Sequence, residues 1–102
     1  MAKVYITEYQ GTLVLIGNNA GVAMGPEIVN QSPITSSGTS QPSAAMNAAT
    51  NLIRIHTDGI ISISIGTNPT ASTSTARMAA NQTEYFGVAA GQGIKVAVIT
   101  NT

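Results

Sequence analysis

The segment Asn51–Gly66, NLIRIHTDGIISISIG, constrains the fold more than any other part of the chain. Two β-branched runs flank the dipeptide Asp58-Gly59. In the first, Ile53 and Ile55 share a face opposite Leu52, Arg54 and His56. In the second, Ile61, Ile63 and Ile65 share a face opposite Ser62 and Ser64. A period of two belongs to a strand with one face in a core and the other outside it. Asp-Gly readily takes the positive φ angles of a type I′ turn. The spacing therefore predicts an antiparallel hairpin, with Asp58 and Gly59 as its structural turn and the five isoleucines in the core.

A second hairpin is predicted at the C-terminal end. Glu84–Val88 leads into a stretch containing Gly91 and Gly93, and Ile94–Thr100 follows with Ile94, Val96 and Val98 alternating against Lys95 and Ala97. Val96 and Val98 join the expected core. Earlier strands are expected at 3–9, 12–16 and 21–24, with weaker ones near 28–30, 34–37 and 43–47. Gly and Pro punctuate the chain, and the Ala-rich piece 44–50 is too short to argue for a helix. About eight short strands in 102 residues describe one all-β domain over residues 1–102, an antiparallel β-sandwich or barrel. Residues 1–10 are expected as an extended arm or edge strand. The Ser- and Pro-rich stretch 31–43 reads as an edge strand with long loops, and 67–76 as an exposed loop.

Composition decides what the domain is not expected to do. Only 8% of residues are charged, the formal net charge is zero, and cysteine is absent. Ordinary soluble domains carry roughly 25% charged residues. With four basic residues in all, Lys3, Arg54, Arg77 and Lys95, no clustered footprint for nucleic acid is available. Disulfides and thiolate metal sites are excluded by the lack of cysteine. No stretch approaches the roughly 18–20 apolar residues of a membrane helix. The first residues lack the basic-then-apolar order of a secretory signal, so synthesis in a cytoplasm without cleavage is the expectation. Ser and Thr supply 22 positions, Ala 14 and Asn 8, which leaves a surface of hydroxyls, amides and small groups. So few charges protect poorly against self-association, which suits a subunit that assembles.

Candidate chemistry is sparse. His56 and Asp58, two apart on one strand, could open a metal site or an acid–base pair, yet Asp58 is needed in the turn and no second histidine exists. Glu8, Glu27 and Glu84 are scattered. A serine nucleophile would have only His56 as base, and no Gly-x-Ser-x-Gly elbow is present. Gly17, Gly21 and Gly25 imitate a small-residue helix face, but Asn18, Asn19 and Pro26 make a strand–turn–strand the better reading. Gly87, Gly91 and Gly93 lack the strand-then-helix context of a phosphate loop. Asn81-Gln82-Thr83 fits the glycosylation pattern without a secretory signal to make it meaningful. No catalytic, cofactor-binding or metal-binding residue is assigned, and no enzyme activity is expected. The aromatics are few: Tyr5 and Tyr9 share one face of the N-terminal segment, and Tyr85 and Phe86 are adjacent. With Lys3 they form the candidate protein interface, since Tyr offers contact area at low entropic cost.

Several phrases resemble small virion proteins of tailed bacteriophages of the capsid decoration, or cement, type. They are Gly66-Thr67-Asn68-Pro69-Thr70-Ala71, Ala76-Arg77-Met78-Ala79-Ala80-Asn81, Glu84-Tyr85-Phe86-Gly87-Val88, and Gly91 with Ile94-Lys95-Val96-Ala97-Val98-Ile99. The opening Met1-Ala2-Lys3-Val4-Tyr5-Ile6-Thr7-Glu8-Tyr9 is similar to the start of the same group; 11–49 has no counterpart. The resemblance implies a jelly-roll-like β-sandwich on the outer surface of an icosahedral head, made in the host cytoplasm. Its implied partners are the major capsid protein and copies of itself, as a trimer or dimer, with no nucleic acid, membrane or cofactor. A tail, neck or head-fibre component is the alternative within the virion, and a small glycan-binding module the alternative outside it.

Overall fold

The β-branched runs form strands where the period of two places them, and their pairing organises the molecule. A computed structural model describes residues 2–15, 18–23 and 25–102. Its strands are β1 (Lys3–Tyr9), β2 (Thr12–Leu15), β3 (Asn18–Ala23), β4 (Val29–Asn30), β5 (Ile34–Thr35), β6 (Gln41–Pro42), β7 (Leu52–Thr57), β8 (Ile61–Gly66), β9 (Ala76–Met78), β10 (Thr83–Gly87) and β11 (Lys95–Thr100). No helix occurs among the described residues.

Nine strands make two antiparallel sheets. The first runs β10-β7-β1, with β4 and β5 one after the other along the far edge of β1; the second runs β6-β11-β8-β9. The strands β2 and β3 pair separately, joining Leu15 to Asn18 across the expected strand–turn–strand, whose Ile16 and Gly17 lie outside the described residues. The other pairings nest: β8 with β9, β7 with β10, β6 with β11, and β5 with β1. A long antiparallel ribbon with this nesting, rolled so that β1 meets β7 and β11 meets β8, is a jelly roll. One departure marks this chain, because β1 precedes the other strands instead of following β11. Ser36 joins the two ends of the roll: its Oγ accepts from the Ala2 amide at 3.0 Å and is hydrogen-bonded to Thr100 Oγ1 at 2.8 Å.

The core lies between the sheets. From the first it takes Val4, Ile6, Ile53 and Ile55, and from the second Ile61, Ile63, Met78, Val96 and Val98, with Ile65 packed against it. The predicted core residues all face inward. Ala2, Met46 and Met78, which lie outside the alternating runs, complete the cluster.

Both predicted hairpins are corrected. β7 belongs to the first sheet and β8 to the second, so Asp58-Gly59 crosses from one layer to the other. Neither residue has a positive φ, which excludes a type I′ turn. The dipeptide is used differently. Asp58 Oδ1 accepts the Lys3 amide at 2.7 Å, and the Asp58 amide donates to the Lys3 carbonyl at 3.2 Å. A Cβ at Gly59 would stand 2.9 Å from that of Ala2, so the glycine is required by close approach. Likewise β10 and β11 belong to different sheets, and the link between them turns through Gly91 and Gly93 at φ 74° and 64°. The expected arm is also corrected: β1 is an interior strand, paired along β7 on one side and along β4 and β5 on the other.

Gly59→Ala is expected to lower stability by about 1–3 kcal/mol in urea denaturation, because Ala2 is buried and has little room to retreat. Gly66→Ala, with nothing near its Cβ, should fall within about 0.5 kcal/mol of the parent. Equal midpoints for the two variants would contradict the close approach at Gly59.

Candidate functional site

The two sheets have unlike outer faces. Along β8 and β11 the outward residues Ser62, Ser64 and Ala97 are small; Ile99 and Lys95 flank Ala97 on β11, and Arg77 of β9 lies in the row of Ser62. Ser62 and Ala97 are nonetheless fully buried. The segment 67–75 folds back on this side and is tied down. Ala71 is buried, and its amide donates to Ser40 Oγ at 2.9 Å. Asn101 Nδ2 donates to both Ser62 Oγ, at 2.7 Å, and the Thr73 carbonyl, at 3.1 Å. The loop expected to be exposed is thus partly a cover for the second sheet.

Among the described residues no side-chain hydrogen bond ties a segment over the outer face of the first sheet in this way, and large residues stand on it. Register sets them in rows. Thr83, His56 and Tyr5 form one row; Tyr85, Arg54, Thr7 and Asn30 form the next; Gly87, Leu52 and Tyr9 form the third. Lys3 and Thr35 lie beyond the first row. All three tyrosines of the chain therefore share one face, with Tyr5 40% and Tyr85 53% exposed. His56 Nδ1 and Thr83 Oγ1 are hydrogen-bonded at 2.7 Å, and the Tyr5 and His56 rings lie 6.4 Å apart at 40°.

Of the predicted interface residues, Lys3, Tyr5, Tyr9 and Tyr85 come together here. Phe86 does not: it points to the opposite side of β10 and packs against the core. Arg54 and His56 are the additions, and their signal was the alternation of β7, which sets them opposite Ile53 and Ile55. His56 and Asp58 are not brought together, since one is bonded to Thr83 and the other to the backbone of Lys3.

Charge is sorted across this sheet. The outward positions of β1, β4, β5, β7 and β10 include Lys3 and Arg54 and no carboxylate. Glu8 and Glu84 pair with Ile53 and Ile55, both core-facing, and so point inward. On the edge strand β10 an inward charge such as Glu84 discourages another strand from pairing there. Two acids stand at the rim. Asp58 is held by Lys3, and Glu27 accepts Asn30 Nδ2 at 3.0 Å. Its own backbone amide and Asn30 hold the Glu27 carboxyl below the usual carboxylate range. On the far edge, β4 and β5 meet β1 in registers one residue apart, with Gln31-Ser32-Pro33 between them. Such a bulge with proline interrupts the edge and blunts further strand addition.

Among the described residues no three His, Asp or Glu side chains gather as a metal-ligand set, and no helix is long and apolar enough to cross a membrane. Comparison of the chain with protein families, with curated proteins and with solved structures finds no match.

Proposed function

We propose that this domain is a non-enzymatic decoration, or cement, protein of a tailed-phage head, docking on the major capsid protein lattice through the outer face of its first sheet. The observation that carries it is the contrast between the faces. On one, the chain's own 67–75 segment is tied over the small residues Ser62 and Ala97; the other presents Tyr5 and Tyr85 exposed beside half-buried Tyr9, Arg54 and His56. Tyr and Arg are the residue types most enriched where protein interfaces gain their energy. The virion phrases of the sequence supply the setting.

The mechanism is linkage. A protein that binds the assembled shell in many copies, and the separated subunits weakly, shifts the equilibrium toward the shell. It needs contact area and complementarity, and no reaction. The low charge of the remaining surface suits association with further copies, as a trimer or dimer, away from the aromatic face. Location on the outer surface of the virion follows from the same reading.

Purified protein is expected to bind emptied, expanded heads and raise their melting temperature, with label distributed across the facets in immunogold images. Heads no more heat-stable with the protein than without it would overturn the proposal. Label confined to a vertex, neck or tail would place the protein elsewhere in the virion.

A further inference from the structure

We infer that the outer face of the first sheet takes a carboxylate-bearing protein surface, with Arg54 as the anchor between Tyr85 and Tyr5. The inference rests on the docking role proposed above and names the chemistry of the surface that is bound.

Arg54 occupies the middle strand of β10-β7-β1, directly opposite Tyr85 on one side and Thr7 on the other. Tyr5 stands diagonally from it, in the row of His56. A guanidinium offers five donors in a planar fork that matches a carboxylate in two parallel bonds. The flanking rings exclude water from such a pair, which strengthens it. His56 is already bonded through Nδ1 to Thr83, so its Nε2 is the ring atom left for a partner.

The sorting of charge selects the occupant. The strands of this face present Lys3 and Arg54 outward and no acid. A second copy laid face to face would oppose like charges with no carboxylate between them, which is unfavourable. A basic partner fails for the same reason. An acidic partner gains both the fork at Arg54 and the long-range attraction of Lys3. Protein is favoured over glycan by the spread of the tyrosines. Tyr5 and Tyr9 are four residues apart on one strand, or about 13 Å at strand rise, and Tyr85 lies two strands away. Rings so dispersed suit a broad contact better than a continuous stacking platform.

The test uses the whole chain, labelled for NMR, titrated with an octaglutamate peptide, with octaglutamine and with an oligogalacturonate. Octaglutamate is expected to shift the amides of Tyr5, Thr7, Arg54, His56 and Tyr85, with affinity falling as salt rises; octaglutamine should leave them unmoved. Arg54→Gln, at a half-buried position, should weaken octaglutamate at least about tenfold while the rest of the spectrum stays in place. Tyr85→Ala should weaken it less. No octaglutamate shifts, shifts dispersed over other surfaces, or full affinity in Arg54→Gln would overturn the inference. Tighter binding of oligogalacturonate, dependent on Tyr5 and Tyr85, would overturn it in favour of an acidic glycan. Binding to emptied heads, measured in parallel for parent and Arg54→Gln, separates the two proposals. Parent that binds octaglutamate here and ignores heads ends the decoration role alone; heads that bind both proteins equally end the role of Arg54 alone.

Discussion

Ile63→Asp is expected to yield insoluble or unfolded protein. Ile63 is 3% exposed in β8, paired with Val98 of β11 and directed into the layer between the sheets. An aspartate there loses the apolar contacts of the isoleucine and brings a carboxylate into a core whose neighbours, Ile61, Val96 and Val98, have no side-chain donor to offer. Burying such a group costs several kcal/mol, a large share of the roughly 5–15 kcal/mol that holds a typical domain together. Ser64→Asp, one residue on and facing the other way, should remain soluble and folded by circular dichroism. Ile63→Val supplies a measurable step where the aspartate does not fold, with a loss of about 0.5–1.5 kcal/mol in urea. Folded Ile63→Asp beside collapsed Ser64→Asp would mean that the faces of β8 are reversed.

The faces of the long strands were legible because alternation is a local property: a residue and its next-but-one neighbour share a side whatever the strand pairs with. Partnership is not local. Ile53 and Ile55 can line the same side as Ile61 and Ile63 in one sheet, or look across the core at them from another, and the residue pattern is identical in the two cases. What decides is a contact far away in sequence. Asp58 and Gly59 close on Lys3 and Ala2, drawing the end of β7 toward β1 and sending β8 to the opposite layer. The same limit hid the place of β1. Its two-sided pairing depends on β4 and β5, which are two residues each and weakly patterned.

The candidate face was half legible for the same reason. Tyr5 and Tyr9 share a side by spacing alone. Tyr85 and Phe86 are adjacent in one strand, so period two requires them to point oppositely, and only one could join the face; the core took the more apolar ring. The contrast between the two outer faces was not legible, since it depends on where 67–75 lies. Small residues at Ser62, Ser64 and Ala97 are the sequence counterpart of that cover, visible once the loop is placed over them.

Glu8 carries the second large effect, and no pattern in the sequence announced it. It falls at an inward position of β1 and is 1% exposed, yet it has no cation among its partners. Three donors surround it instead. Oε1 accepts the Asn47 amide at 2.7 Å and Thr50 Oγ1 at 2.7 Å, while Oε2 accepts Gln31 Nε2 at 2.9 Å. Both oxygens act as acceptors, as in a carboxylate. Gln31 is fixed in turn, because its Oε1 accepts the Ala44 amide at 3.2 Å. The segment 43–50 is thereby held to the first sheet, while Ser43 and Met46 donate to the Val96 and Ile94 carbonyls of the second half of the roll. Glu8 thus closes one end of the sandwich, and Glu8→Ala leaves three donors with no acceptor and a void beside them. The expected loss is about 3–5 kcal/mol in urea denaturation, with faster hydrogen exchange at the Asn47 amide. Glu8→Gln keeps one oxygen for Asn47 and Thr50 but turns its amino group toward Gln31, a donor against a donor. Gln31 can reverse only by giving up Ala44. The glutamine variant should therefore lose about 1–3 kcal/mol, less than alanine and more than an exposed substitution such as Thr70→Ala. Both Glu8 variants within about 0.5 kcal/mol of the parent, with Asn47 still protected, would show that the 43–50 segment is held by its contacts to Ile94 and Val96 and not by the buried carboxylate.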